Sequence, residues 1–354
     1  MYQYEEIVEV HLELTSRCNA SCPQCPRNVD GGQVNPHLPL TELSLGDIKR
    51  IFPRAFVERL RHIYMCGNYG DAMTARDTLE VFEYFRECNP AARLRLYTNG
   101  SGRNPAWWRR LASTIDLCKF AIDGLSDTNA IYRRGTDWQK IMESVGAYIG
   151  AGGRAEWSFI VFQHNEHQVE EARSLSQRMG FEKFTVVKTM RFASTGRVQP
   201  KADVRDRKGA HAASISLPQN PDYQNQRLVQ IDKLVRQRDD YLSYLNEVEV
   251  RCIAQRPNSI YVSAEGLVFP CCYVAQIYPW RPGPGATQVW ELINRLPRQK
   301  DSLNALNSSL RQIIEGPFFQ SFIPGGWGNT VADGKLRVCA QKCGRGGGEH
   351  AAQV

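Results

Sequence analysis

The strongest constraint on the fold of this 354-residue chain is a repeated alternation of strand and helix signals through its first half. Residues 8–14 (VEVHLEL) alternate apolar and polar side chains, the period-two pattern of a strand with one face in a core. Further strand candidates follow at 61–66, 93–98, 117–122, 155–162 and 183–189. Helical patterns separate them: a stretch opened by Ser44 as N-cap and running to about Leu60, then segments near 76–88, 105–114, 137–150 and 166–179. Six strands interleaved with helices predict an α/β fold with a parallel sheet and helices outside it. An open doubly wound sheet and a partial barrel both satisfy that pattern.

The alternation stops after about Arg191. Residues 193–226 are rich in Gly, Pro, Asp, Asn and basic side chains and read as a linker. A helix is expected over 227–248, then a short hairpin from Ser259–Val262 through Glu265-Gly266 to Leu267–Phe269. Amphipathic segments near 288–296 and 303–315 precede a Gly-rich end from Cys343 to Gly348. The formal net charge is +7, and seven Lys/Arg lie between Lys188 and Lys208 against Asp203 and Asp206. A solvated loop is the expectation there; the sharper reading is a docking surface for an acidic peptide or a redox partner. No recognition motif points to nucleic acid. The acidic start MYQYEE lacks the basic region of a secretory signal, and no run of about 18 apolar residues offers a membrane span. A cytoplasmic protein is therefore expected.

Eleven cysteines in such a chain point to metal or catalysis, because a reducing compartment does not keep disulfides. Cys18, Cys22 and Cys25 follow the first strand as C-x3-C-x2-C. In a parallel β/α fold this loop lies at the carboxyl end of the strand, where active sites gather. A structural zinc site usually wants four ligands in close pairs, and no nearby His or Cys completes the set. Three thiolates around a four-iron cluster would leave one iron open to a substrate or cofactor. Of the other cysteines, Cys88 and Cys118 read as core residues and Cys66 as structural.

The strand followed by Thr15-Ser16-Arg17-Cys18 and this spacing resembles the signature of the radical S-adenosylmethionine (SAM) superfamily. Further pieces are similar in order and position. Met65-Cys66-Gly67-Asn68-Tyr69-Gly70-Asp71 stands where the family has a Gly-Gly-Glu-Pro-like turn, without the Glu-Pro. Thr98-Asn99-Gly100, Ile122-Asp123-Gly124 and Tyr132-Arg133-Arg134-Gly135 follow later strands. The resemblance covers about residues 6–190 and implies a partial (β/α)6 TIM-like barrel. It also implies a [4Fe–4S] cluster on Cys18, Cys22 and Cys25 whose open iron chelates SAM. One electron then cleaves SAM, and the 5′-deoxyadenosyl radical abstracts a substrate hydrogen. By position it implies SAM contacts from Gln24, Gly67, Asn68, Tyr69, Thr98, Asn99, Asp123 and Arg191. An acidic substrate group is the alternative partner of Arg191. Asp71 and Asp123 are the candidate bases, with turn stabilisation as the plainer role.

Cys252, Cys271, Cys272, Cys339 and Cys343 form a second group near the end of the chain. By spacing alone, a zinc knuckle and an iron–sulfur site are equally good. C-x13-G-x4-C resembles the opening of the SPASM and twitch extensions of radical SAM enzymes. That implies one auxiliary [4Fe–4S] cluster on Cys252, Cys271, Cys339 and Cys343 within a small β-hairpin/helix domain; Cys272 replaces Cys271 if the hairpin register differs. The expected organisation is a core domain over 1–192, a linker and bridging helix over 193–250, and a twitch domain over 251–354. The expected activity is modification of a ribosomally synthesised peptide by oxidation, cross-linking, epimerisation or backbone excision. The alternative is a small-molecule dehydrogenase for an aminocyclitol or sugar. A flavodoxin- or ferredoxin-type electron donor is implied. Because Cys18 comes so early, peptide recognition is expected to fall to a partner protein or to the linker.

Overall fold

Strands form where the period-two pattern lies: β1 Glu9–Leu12, β2 His62–Met65, β3 Arg93–Thr98, β4 Leu117–Ala121, β5 Ala155–Ile160 and β6 Lys183–Val187. In this computed structural model, which describes residues 1–194, 197–238, 240–279, 281 and 283–345, they pair in parallel and in sequence order. Part of the expected Gly-rich end, Gly346–Gly348, lies outside the described residues. The helices between the strands are α1 Leu45–Ile51, α2 Thr78–Cys88, α3 Pro105–Thr114, α4 Trp138–Gly150 and α5 Val169–Met179. Three of them start at a side-chain cap. Ser44 caps α1 through Asp47 N–H (3.2 Å), Asn104 caps α3 through Trp107 N–H (2.9 Å), and Asp137 caps α4 through Lys140 N–H (3.0 Å). The stretch expected as one helix from Ser44 to Leu60 is broken. Pro53 has no N–H to give and disfavours helical geometry at Phe52, so only a four-residue turn, Arg54–Val57, follows it.

The two faces of the sheet differ. Toward the helices point Ile63, Met65, Leu94, Leu96, Cys118, Phe120, Trp157 and Phe159, all fully buried. The concave face carries buried and half-buried polar and aromatic groups. His62 pairs with Glu9 (2.8 Å), His11 stacks on Tyr64 (4.4 Å between ring centres), and Lys119 pairs with Glu156 (3.5 Å). The lumen of this partial barrel is thus polar and the helix layer dry. Cys88 and Cys118 belong to the dry side.

The rest of the chain departs most from expectation. The supposed linker contains an antiparallel hairpin, β7 Lys201–Arg205 with β8 His211–Ser216. Val204 and Ile215 are buried against Ala20, Cys22, Tyr132, Phe162 and Phe192, so the segment is packed rather than a free linker. The single helix expected over 227–248 is two, α6 Gln226–Arg238 and α7 Tyr241–Glu247. The second has its own N-cap, Asp240, accepting from Leu242 and Ser243. The predicted C-terminal hairpin is present as β9 Ser259–Val262 and β10 Val268–Phe269. It does not stand apart: β9 pairs in parallel with β1, making one eight-stranded sheet in the order β10-β9-β1-β2-β3-β4-β5-β6. Helices α8 Pro284–Asn294 and α9 Arg337–Cys343 complete the tail. Val289, Ile313, Phe319 and Cys339 fall in the same buried cluster as the barrel helices. Among the described residues, no helix is long and apolar enough to cross a membrane.

Phe120 is fully buried between Trp108, Tyr148 and Phe181. Phe120→Ala is expected to cost about 3–5 kcal/mol, whereas Ile131→Ala at an exposed position should change stability by no more than about 0.5 kcal/mol. Denaturant unfolding of the two variants checks this.

Candidate active site

The loop after β1 is held from several sides before it reaches its cysteines. Ser16 Oγ donates to Pro39 O (2.7 Å), and the buried Arg27 donates to Ser16 O (3.2 Å). Ser21 N–H donates to Arg134 O (2.8 Å). Cys22 is buried and Cys18 and Cys25 half-buried; all three thiols are free. Ala20 N–H reaches Cys18 Sγ (3.3 Å), Asn99 Nδ2 reaches the same sulfur (3.8 Å), and Arg133 Nη1 reaches Cys22 Sγ (3.8 Å). Burial pushes the Cys22 thiol up to about 11 against the pull of Arg133, and pushes Cys18 higher still. A metal held there would override that rise by deprotonating its thiols outright.

The loops at the strand ends close around this segment. Asp71 is buried; one carboxylate oxygen accepts from Thr98 Oγ1 (3.0 Å), Asn99 N (2.8 Å) and Asn99 Nδ2 (2.8 Å), the other from Met73 N (3.1 Å). Asp123 is fully buried; Arg133 Nε (2.6 Å) and Ile160 N–H (2.6 Å) donate to it. Burial raises both carboxyl pKa values, and Arg133 opposes the rise at Asp123. The sequence singled out both aspartates as bases or turn anchors. The structure surrounds each with donors that tie one loop to another, and Asp123 holds the arginine that faces Cys22. Gly124 sits at φ +150°, and a Cβ there would lie 2.3 Å from Thr128 Oγ1, so only glycine makes this turn. Gln24 and Arg191, both expected as SAM contacts, touch each other. Gln24 Nε2 donates to Arg191 O (3.2 Å), and Arg191 donates to Gln24 O (3.2 Å) and Tyr132 OH (3.3 Å). Gln24 Oε1 is buried without a partner among the described residues.

Under the turn 67–71 lies a group that sequence reasoning passed over. Glu13 is buried and accepts Tyr69 N–H (2.6 Å), Gly70 N–H (2.8 Å) and the hydroxyl of Tyr261 on β9. Burial lifts its pKa to about 7 although these donors pull it down. In VEVHLEL it looks like the polar positions Glu9 and His11; only the cross-strand neighbours distinguish it.

The tail gathers its own cysteines. Glu249–Val250 pairs with Gly344–Arg345, and Arg251 N–H donates to Cys343 O (3.0 Å), bringing Cys252 beside Cys343. Cys339 and Cys343 share one face of α9 at i, i+4. Cys252, Cys271, Cys339 and Cys343 line one apolar pocket with Val250, Val274 and Ile323, and Cys272 is not in its wall. Cys272 instead lies by the turn after β2, where its carbonyl accepts from Asn68 Nδ2 (2.7 Å). Among the described residues, no three His, Cys, Asp or Glu side chains converge as closely as a single metal ion needs.

Comparison with curated proteins gives no match. Residues 12–175 match the family model of the Radical SAM superfamily. Among solved structures, Streptococcus suis SuiB bound to S-adenosylmethionine is similar with a TM-score of 0.55 and 13% identity, over 89% of this chain and 68% of that one. SuiB bound to precursor peptide SuiA gives 0.53 and 12%, over 89% and 66%. Histidine-tagged anSMEcpe with bound AdoMet gives 0.55 and 12%, over 95% and 86%. The chain spans about two thirds of SuiB. At these identities the likeness is one of fold, the partial TIM barrel. The matched segment is similar to a Radical SAM domain, and the chain is an enzyme. That family implies a four-iron cluster and SAM. The donor set fits: three free thiols on one loop, two of their sulfurs reached by N–H donors, and an apolar flank from the β7–β8 hairpin.

Arg133 neutralises a buried carboxylate. Arg133→Leu should therefore cost about 3–5 kcal/mol, and the double variant Asp123→Asn/Arg133→Leu should recover most of the loss. Urea midpoints of the single and double variants measure the coupling.

Proposed function

We propose that this chain is a two-cluster radical SAM enzyme that modifies a ribosomally synthesised peptide. The observation that carries the reading is the pairing of two cysteine sets in one continuous fold. Cys18, Cys22 and Cys25 stand at the barrel mouth, and Cys252, Cys271, Cys339 and Cys343 line one pocket in the tail. In this reading the first set holds the SAM-binding cluster and the second an auxiliary [4Fe–4S] cluster, with Cys271 rather than Cys272 as ligand. The tail from 251 onward is then the twitch domain of a 1–192 core, with the β7–β8 hairpin and α6–α7 between them. Bound together, cluster and SAM supply a one-electron cleavage whose 5′-deoxyadenosyl radical removes a substrate hydrogen.

The chain's own residues position and shield. Arg133, anchored by Asp123, faces the Cys22 sulfur. Asp71 fixes Thr98-Asn99 against Cys18-Asn19 and acts as a positioning residue, since donors surround both of its oxygens. Gln24, Gly67, Asn68 and Tyr69 line the approach to SAM, and Arg191 offers its charge to a carboxylate of SAM or substrate. Structures of SuiB with SuiA and of anSMEcpe with the Cp18Cys peptide support a peptide as substrate. A flavodoxin- or ferredoxin-type protein supplies the electron.

Anaerobic reconstitution should give about eight irons per chain. With reductant and SAM the protein should release 5′-deoxyadenosine, measured by chromatography. Alanine at Cys18, Cys22 or Cys25 should abolish that release. Alanine at Cys339 or Cys343 should leave it standing, halve the iron count to about four and stop product formation. Zinc in place of iron overturns the reading. A short precursor-peptide gene beside the coding sequence is expected; turnover of a sugar or aminocyclitol would overturn the peptide assignment alone.

A further inference from the structure

The backbone N–H groups of the turn Gly67–Gly70 are collected from one side. Both Tyr69 N–H and Gly70 N–H point at Glu13 Oε1 (2.6 and 2.8 Å). In a trans peptide the N–H and C=O lie on opposite sides, and the chain has no cis bond among its described residues. The carbonyls of Asn68 and Tyr69 therefore face away from Glu13. Among the described residues neither accepts a backbone or side-chain hydrogen bond. Two adjacent unpartnered carbonyl oxygens suit an ammonium group. The turn has little room to relax: a Cβ on Gly70 would lie 1.8 Å from Thr15 O, and Asp71 N–H donates to Arg17 O (2.9 Å), one residue before Cys18.

The tail grips the same turn at two points and Glu13 at a third. Tyr261 on β9 donates its hydroxyl to the second oxygen of Glu13. Asn68 Nδ2 donates to Cys272 O (2.7 Å), and Tyr278 N–H donates to Tyr69 OH (3.3 Å). We infer that Glu13, steadied from the tail by Tyr261, is the positioning residue that aims the Asn68 and Tyr69 carbonyls at the ammonium group of SAM, so that the tail helps to set SAM affinity. This rests on the reading of the barrel mouth as a SAM site. The turn lacks a carboxylate of its own beyond Asp71, which is engaged with Thr98 and Asn99. Glu13 supplies, from the neighbouring strand, the anion that collects the turn's N–H groups.

The test uses the full chain with both clusters reconstituted. SAM dissociation constants are measured by equilibrium dialysis without reductant, for the wild type, Tyr261→Phe, Glu13→Gln and the double variant. Iron content and circular dichroism are recorded alongside. Glu13→Gln removes the negative charge that draws the two N–H groups and puts an NH2 donor where the carboxylate accepted the Tyr261 hydroxyl; it should weaken SAM binding about tenfold or more, with iron content unchanged. Tyr261→Phe, which removes one hydroxyl and no residue of either expected cysteine ligand set, should weaken it a few-fold. In the double variant the Tyr261 change should add nothing, because it acts through Glu13. Wild-type affinity in both single variants overturns the inference, and so does strict additivity. If Glu13→Gln does not fold, unchanged affinity in Tyr261→Phe overturns it. A wild type that holds iron yet binds no SAM defeats the reading of the mouth itself and is seen before any variant is compared.

Discussion

Three carboxylates buried at the ends of parallel strands organise everything above the sheet. An isolated ionised carboxylate costs several kcal/mol to take out of water, so each of these survives only by collecting donors. Glu13, Asp71 and Asp123 collect theirs from different loops. Glu13 draws in the turn after β2 and a tyrosine from the tail, Asp71 the turn after β3, and Asp123 an arginine facing Cys22. The cysteine loop itself has little regular structure. Its shape is imposed by neighbours that are themselves held by buried charge.

The alternation of strands and helices was readable because each strand shows one dry face to a helix layer. Ile63, Leu94, Phe120 and Trp157 lie on that layer as the period-two pattern requires. Ser44, Asn104 and Asp137 announce helix starts through short-range chemistry that any sequence displays. The cysteine spacings were equally legible, since loop ligands are local. The resemblance alone groups Cys252 with Cys343; the pairing of Glu249–Val250 with Gly344–Arg345 is the contact that brings them side by side.

What escaped the sequence is what depends on distant contacts. Residues 201–216 read as a polar linker because most of the hairpin's side chains face solvent and only a few, Val204 and Ile215 among them, are buried on the cysteine loop. Glu13 has the same local pattern as Glu9, yet one is half-buried beside His62 and the other sealed beneath a turn. Nothing within a few residues of either encodes that difference. Pro53 is the opposite case, a local signal in the sequence itself that ends the helix begun at Ser44.

The parallel pairing of β9 with β1 has a consequence for the chain as a whole. A sheet strand stripped of its neighbour presents a row of unsatisfied N–H and C=O groups. Cutting the chain ahead of Ser259 would bare the flank of β1, a strand whose Val10 and Leu12 are fully buried, and leave a sticky template for intermolecular addition. The last third of this protein therefore doubles as the guard against self-association of the first two.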